Sequence, residues 1–270
     1  MSLIQIWDIN GQLIDLEEYG LTGLRLIIPS PSYETVRESI PGRGMITLGK
    51  DLLPRDIVAE FKVSGVDYED SLLVRDELYT IFSKGNMFYI GEAKQPGKRW
   101  LVECTEQWSP ERLNIYTLTI SIPLLAPSGT AESIGTTIDP FTFDEEVWQV
   151  GGGLLADEVH YTHTGAMFNI YNAGIKVDPR YMDLVIEYKG ASSNLTIKNE
   201  TTGDMWEYNG SSNVSDTIKL DGVRSEKNGL TILRDTNKRL ISLAEGWNGF
   251  RLTGTQGSFT VTFKFRFHTL

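Results

Sequence analysis

Cysteine is almost missing from this 270-residue chain, with Cys104 the single one. No intrachain disulfide can form, and no thiolate cluster can hold a metal within one chain. Histidine is nearly as scarce, at three residues. The chain has no His-Glu-x-x-His pair and no Gly-x-Ser-x-Gly elbow, so the common zinc-hydrolase and serine-hydrolase signatures are out. No apolar run reaches the length of a membrane helix, and no membrane association is expected. Basic clusters are also lacking. Residues 1–126 hold 12 basic and 18 acidic side chains and residues 127–270 hold 13 and 18, so the net charge of −11 divides into −6 and −5. A surface of this sign repels a phosphate backbone, and a sequence-specific grip on nucleic acid is not expected.

The few near-motifs fail on their own chemistry. Gly44-Met-Ile-Thr-Leu-Gly49-Lys50-Asp51 has the spacing of a phosphate-binding loop, but Asp51 stands where a Ser or Thr must hold magnesium. Pro54 then falls where the following helix should already run. Gly151-Gly152-Gly153 lacks dinucleotide-loop spacing and reads as a turn. His160 and His163 could share a metal only with a carboxylate such as Asp157 or Glu158, and solvated or interface histidines are the simpler reading. Cys104 alternates with Trp100 and Val102, which marks a small buried hydrophobe rather than a reactive thiol. The N-terminus has no basic region and no long apolar run, so a secretory leader is not expected. The sequons at Asn194, Asn199, Asn209 and Asn213 then mark only a polar, turn-rich region. No catalytic residue, cofactor or metal site is expected.

What the chain does contain is alternation. Ile57, Ala59, Phe61 and Val63 alternate with polar residues, the mark of a strand with one buried face. Asp67, Glu69 and Asp70 suit a helix start, and Leu72, Val74, Leu78, Ile81 and Phe82 follow at helical spacing until Lys84-Gly85-Asn86. Strands resume with Phe88 and Ile90, then Trp100 and Val102, then Tyr116 to Leu124. Asn10-Gly11 signals a hairpin turn. Residues 29–44, with Pro29, Pro31, Pro41, Gly42 and Gly44 among polar residues, read as a long loop or projecting arm, and Met45 to Leu48 as one more strand.

Composition shifts to Pro, Ser, Gly, Thr and Ala after residue 126, so the organisation expected is a first domain over 1–126, a linker over 127–139 and a second domain over 140–270. The second half alternates almost throughout, ending on Phe259, Val261, Phe263, Phe265 and Phe267. Turn signals roughly every eight to twelve residues predict an antiparallel β-sandwich there. The fold class is mainly β, with one helix inserted in the first domain.

Several ordered motifs carry a family resemblance. A strand ending Ser64-Gly-Val-Asp67, a helix reading Leu72-Leu-Val-Arg-Asp-Glu-Leu78, the Phe88-Tyr-Ile90 strand, the Pro96-Gly-Lys-Arg-Trp100 turn and the Val102-Glu-Cys104 strand resemble the distal tail proteins of long-tailed bacteriophages and prophages. Asn169-Ile-Tyr-Asn-Ala-Gly174, Asn199-Glu-Thr-Thr-Gly203, Asp235-Thr-Asn237, Leu243-Ala-Glu-Gly-Trp-Asn248 and the Phe263-Lys-Phe-Arg-Phe267 strand extend it across the second half. The resemblance implies a structural protein of the tail tip or baseplate hub, made in the bacterial cytoplasm and carried in the virion. It implies six copies in a ring, a first domain that builds the ring, and contacts with the tail tube protein and the tail-associated or tail-fibre baseplate protein. It also implies an arm in the first domain reaching a neighbouring subunit, and a second domain like galectins and carbohydrate-binding modules that docks receptor-binding parts. The galectin His-x-Asn-Pro-Arg run is absent.

A carbohydrate-binding module recognising cell-surface glycans stays open as the alternative. Trp206 and Tyr208 on one strand face, and Trp247 in a Gly-Trp-Asn-Gly turn, are the candidate aromatics for stacking on sugars or filling a partner's pocket, with core packing as the other reading. Asp204, Asn209, Asn213 and Asn248 are the polar groups nearest to them in sequence.

Overall fold

A computed structural model describes residues 2–64, 70–83, 85–140 and 159–270. The chain divides into two compact units, Met1–Glu132 and Ser133–Thr269.

The strands of the first unit are β1 (Ile4–Trp7), β2 (Leu21–Ile27), β3 (Tyr33–Ile40), β4 (Gly44–Leu52), β5 (Arg55–Ser64), β6 (Phe88–Glu92), β7 (Lys98–Val102), β8 (Glu111–Asn114), β9 (Thr117–Ala126) and β10 (Ala131–Ser133), with helix α1 (Asp70–Phe82) between β5 and β6. One antiparallel sheet runs β2-β5-β9-β8, and a second runs β1-β6-β7-β10. The alternation decides which faces meet. Ile57, Ala59, Phe61 and Val63 of β5 are buried, and they lie across from Leu124, Ile122, Ile120 and Leu118 of β9, which are buried too. From the second sheet, Ile4, Ile6, Ile90, Trp100 and Val102 enter the same core.

Helix α1 covers that core with Leu78 and Phe82, both buried, while Val74 and Ile81 are partly buried against it. These four fall on one helical face. Leu72, expected with them, is exposed beside Leu73. Six residues before Leu78, it points well away from the buried stripe at about 100° per residue. The expected cap at Asp67 with Glu69, and Lys84 at the far end, lie outside the described residues. The Asn10-Gly11 turn is present: Asp8 Oδ1 accepts from the backbone N–H of Asn10 and Gln12, and Trp7 bridges Leu13.

Residues 29–44, expected as a long loop or projecting arm, are not loop throughout: strand β3 fills half of them and pairs with β4 to form a two-stranded sheet of their own. Neither face of this hairpin is buried, so its sequence shows no apolar alternation to read.

The second unit contains β11 (Thr162–His163), β12 (Met167–Asn172), β13 (Leu184–Asn199), β14 (Met205–Glu207), β15 (Ser211–Ser212), β16 (Thr217–Asp221), β17 (Arg224–Lys227), β18 (Leu230–Thr231), β19 (Gly246–Phe265) and β20 (His268–Thr269). The long strands β13 and β19 organise it. They pair antiparallel twice, at Leu184–Gly190 with Phe259–Phe265 and at Thr196–Asn199 with Phe250–Thr253, and the register shifts in between. At that bend Gly254 has φ +80°, and a Cβ built on it would lie 2.4 Å from the Asn194 carbonyl oxygen, so only glycine fits. Ile186, Tyr188, Leu195, Ile197, Phe250, Leu252, Val261, Phe263 and Phe265 form one core with Trp206 and Ile218.

Residues 127–139, expected as a linker, carry strand β10 and are largely buried. From Ser133 on they are laid against the end of β19. Ser133 N–H donates to Phe267 O, Thr137 N–H donates to Phe265 O, and the Thr137 hydroxyl donates to Phe263 O at 2.7 Å. The shift at residue 126 marks the end of β9, and the small polar side chains after it are the ones that hydrogen-bond along a strand end.

Candidate functional site

The first unit exposes apolar side chains where its fold leaves them no cover. In the β3–β4 hairpin Val36, Met45, Ile46 and Leu48 are exposed, Met45 at 72%. The hairpin pairs with no further strand among the described residues. An isolated two-stranded sheet is marginal in water and gains stability when something packs against it. A second group, Leu113, Ile115 and Tyr116, sits at the turn between β8 and β9 and is also exposed. Strand β8 is an edge strand exposed along its whole length. The sequence reading placed Tyr116 on the alternating strand that follows, where the structure leaves it exposed ahead of β9, and did not single out Leu113 or Ile115. The group's signal was present: Leu113 and the Ile115-Tyr116 pair interrupt alternation around Asn114.

On its outer face the β2-β5-β9-β8 sheet carries a groove of about 550 Å³. Leu24, Val58 and Pro123 supply its apolar floor, and Glu60, Glu111 and Trp108 stand among its lining. Arg25 holds Glu60 in a two-pronged salt bridge at 2.7 Å. Trp108 is fixed by an edge contact with Tyr79 and a hydrogen bond from its indole N–H to the Ser83 hydroxyl. Nearby, Cys104 is half-buried with its Sγ 3.5 Å from Glu106 O, and burial pushes its thiol pKa up, away from nucleophilic use.

The three candidate aromatics of the second unit separate. Trp206 and Tyr208 are buried. Trp206 lies opposite Ile197 on β13, and its indole N–H donates to the Ser225 hydroxyl at 3.2 Å. Neither ring has a face for a ligand, so the core reading holds for both. Trp247 is 51% exposed and leans on Tyr171, with ring centroids 5.0 Å apart. Its sequence neighbour Asn248 is buried and fully used. Asn248 Oδ1 accepts from Ala244 N–H and Asn199 Nδ2, and its Nδ2 donates to the carbonyls of Ala244 and Gly246. Asp204 Oδ2 accepts from the N–H and hydroxyl of Ser242 and from the Thr202 hydroxyl. Asn209 and Asn213 are exposed, but the polar surround expected for a sugar at Trp247 loses Asn248 and Asp204 to the fold.

The near-motifs resolve as structure. Gly44 to Asp51 is the extended strand β4, with no loop to cradle phosphate. The His163 ring stacks on Phe168 at 4.3 Å, and its Nε2 lies 2.9 Å from His160 O. Asp157, Glu158 and Gly151 to Gly153 lie outside the described residues. Among the described residues no group of three or more His, Cys, Asp or Glu is placed to hold a metal ion.

Comparison with known proteins adds three findings. Residues 9–126 match the family model of the phage tail protein RIFT-related domain. The chain is similar in structure to the Dit protein (gp 19.1) of phage SPP1, described as a paradigm of the hub adsorption apparatus in phages infecting Gram-positive bacteria. The TM-score is 0.70 at 14% identity, over 98% of this chain and 100% of that one. A chain of the phage p2 baseplate in its activated conformation with strontium gives a TM-score of 0.48 at 9% identity, over 97% of each chain. No curated protein sequence matches. Residues 9–126 are thus similar in sequence to the phage tail protein RIFT-related domain, and the chain as a whole is similar in fold to the SPP1 Dit protein.

Proposed function

We propose that this chain is a structural subunit of a phage tail tip, assembling as a closed ring, six copies by resemblance, that joins the tail tube to the tip. The observation that carries the reading is the β3–β4 hairpin, a two-stranded sheet with Val36, Met45, Ile46 and Leu48 exposed. Such a surface calls for a partner. A neighbouring copy satisfies it in every subunit at once, because head-to-tail contacts that close make a ring without unpaired ends. The exposed Leu113, Ile115 and Tyr116 and the open edge of β8 support the same division of labour, with residues 1–126 building the ring.

In this reading residues 140–270 form the outward domain that docks host-adsorption components, and the tail tube and a baseplate protein meet the ring on its two sides. The protein works by geometry rather than catalysis, and its place is the virion tail. Electron microscopy of the assembled tail tip tests the proposal. A ring of this chain is expected, and replacing residues 36–49 by a two-residue turn is expected to abolish it while the chain still folds. A tip without such a ring, or an unimpaired ring without the hairpin, overturns the reading.

A further inference from the structure

The second unit carries a concavity of about 330 Å³ whose lining includes Lys176, Asp178, Arg180, Asp204, Arg239 and Ser242. Three cations meet two carboxylates there, in a chain whose overall charge is −11. What matters is which of these groups is already used.

Both carboxylates are occupied. Asp178 accepts from Arg180 through both of its oxygens, with Nε at 3.0 and 3.2 Å, and this hydrogen bonding holds its carboxyl below the usual range. Asp204 is half-buried. Burial alone would raise its pKa, but the hydrogen bonds from Ser242 and Thr202 outweigh burial and hold it ionised. The donors are less committed. The Lys176 ammonium and the Arg239 guanidinium make no side-chain hydrogen bond or salt bridge among the described residues, and Lys176 acts on Asp178 and Asp204 only through its charge. The concavity therefore presents free donors beside saturated acceptors, which suits a ligand rich in acceptor oxygens and carrying negative charge.

Arg239 is also held in place. Lys238 before it has φ +59°, a left-handed conformation that a lysine rarely adopts. The loop is pinned around that residue: Thr236 Oγ1 accepts from Lys238 N–H, Asn237 Oδ1 accepts from Arg239 N–H, and Asn237 Nδ2 donates to Met205 O at 2.9 Å. Strain kept by so many bonds fixes the direction in which the next side chain leaves the backbone. Next to Arg180, Tyr181 is 81% exposed, and the Arg180 guanidinium stands 5.4 Å from its ring centroid. An exposed aromatic face beside cations is the arrangement on which a sugar ring stacks.

We infer that this concavity binds a saccharide bearing an anionic group, with Arg239 and Lys176 holding the anion and Tyr181 supplying a face for the sugar ring. The inference is independent of ring assembly, since all of these residues lie outside the β3–β4 hairpin and the β8–β9 turn.

Calorimetric titration of the full chain tests it, with oligogalacturonate as the carboxylate-bearing probe and glucose 1-phosphate as the phosphate-bearing one. Maltohexaose, inorganic phosphate and poly-glutamate serve as comparisons. Saturable binding of at least one anionic saccharide is expected, weakened about tenfold or more by Arg239→Ala and by Lys176→Ala, as for hydrogen bonds to charged groups. Which of the two probes binds identifies the anion. Tyr181→Ala should weaken that saccharide and leave inorganic phosphate unchanged. All three side chains are exposed, so unchanged melting temperatures are expected. Absence of binding by both anionic saccharides, or binding that survives Arg239→Ala and Lys176→Ala, overturns the inference. Maltohexaose binding equally well removes the role of charge, and inorganic phosphate matching glucose 1-phosphate removes the sugar. Poly-glutamate binding in place of the saccharides, with the same dependence on Arg239, assigns the site to an acidic protein partner instead.

Discussion

Phe82→Ala is the sharpest test of how the first unit holds together. The Phe82 ring is buried at the end of α1 and touches three other rings: Phe61 at 5.5 Å between centroids, Phe88 at 5.8 Å and Trp108 at 6.2 Å. Phe61 belongs to one sheet, Phe88 to the other, and Trp108 to the loop before β8, so one side chain ties together the layers of the unit. Truncating a buried Phe to Ala costs about 3–5 kcal/mol, transfer and cavity together. The ring contacts place this site toward the upper half, since aromatic pairs add about 0.5–1.5 kcal/mol beyond burial. A unit of this size has an unfolding entropy near 0.28 kcal/mol/K, from about 2.1 cal/mol/K per residue. For about 4–5 kcal/mol, the expected loss of melting temperature is then about 14–18 °C. Thermal unfolding followed by tryptophan fluorescence is the assay, with Trp108 edge-on to the deleted ring as the local reporter. Phe82→Leu keeps most of the volume and should lose far less. A shift under about 3 °C for Phe82→Ala would refute the helix-to-sheet packing as the source of stability.

Three further outcomes follow from particular groups. Arg55 is buried over the Trp100 ring at 4.8 Å, its Nε and Nη2 have no hydrogen-bond partner, and burial pushes its pKa down; Arg55→Met should leave the melting temperature unchanged or raise it, because an unpaired buried charge is removed while the packing stays, and a fall of more than about 5 °C would contradict this. Burial lowers the His163 pKa below its ordinary 6.5, so the unfolded chain binds the proton first. The stability of the second unit should therefore decline as pH falls from 6.5 toward the folded-state pKa, and His163→Gln should flatten urea midpoints between pH 7.5 and 5.5; an unchanged slope counts against burial as the cause. Trp247, exposed but without the side-chain polar groups of Asn248 and Asp204 to call on, should give no measurable affinity for simple neutral mono- or disaccharides, and saturable binding abolished by Trp247→Ala would restore the neutral-sugar reading.

Much of the fold was legible because burial imposes a period. Strands β5, β9 and β19 each have one face in a core, and their apolar residues recur every second position. Helix α1 was legible for the same reason at a different period, and the error at Leu72 came from counting apolar residues without following the angle each one takes. The candidate aromatics show where periodicity stops being informative. Trp206 and Tyr208 are two apart, which puts them on one face, but nothing in the sequence says whether that face is in or out. The pairing of Trp206 with Ile197 decides it, and that pair is only nine residues apart around a turn whose register the sequence does not state. Trp247 was no more decidable: only the structure shows its neighbour Asn248 pointing inward to two carbonyls, which sends the tryptophan outward.

The surfaces to which a function is proposed are the parts that obey no burial period. Strand β3 is exposed on both faces, so its residues carry no pattern and read as loop, and the apolar residues at the β8–β9 turn read as a lapse in alternation. Lys176, Arg180 and Arg239 come together from segments about sixty residues apart, and no spacing rule connects them. A chain that folds alone has reason to bury its Met, Leu and Ile side chains. The β3–β4 hairpin leaves Val36, Met45, Ile46 and Leu48 exposed, which is the local cost that the proposed contact with a neighbouring copy would offset. If the proposed assembly surface is the β3–β4 hairpin, it falls on the same stretch where sequence periodicity gave least: burial by a partner leaves no trace in the periodicity of one chain, only apolar residues at positions the single chain does not bury.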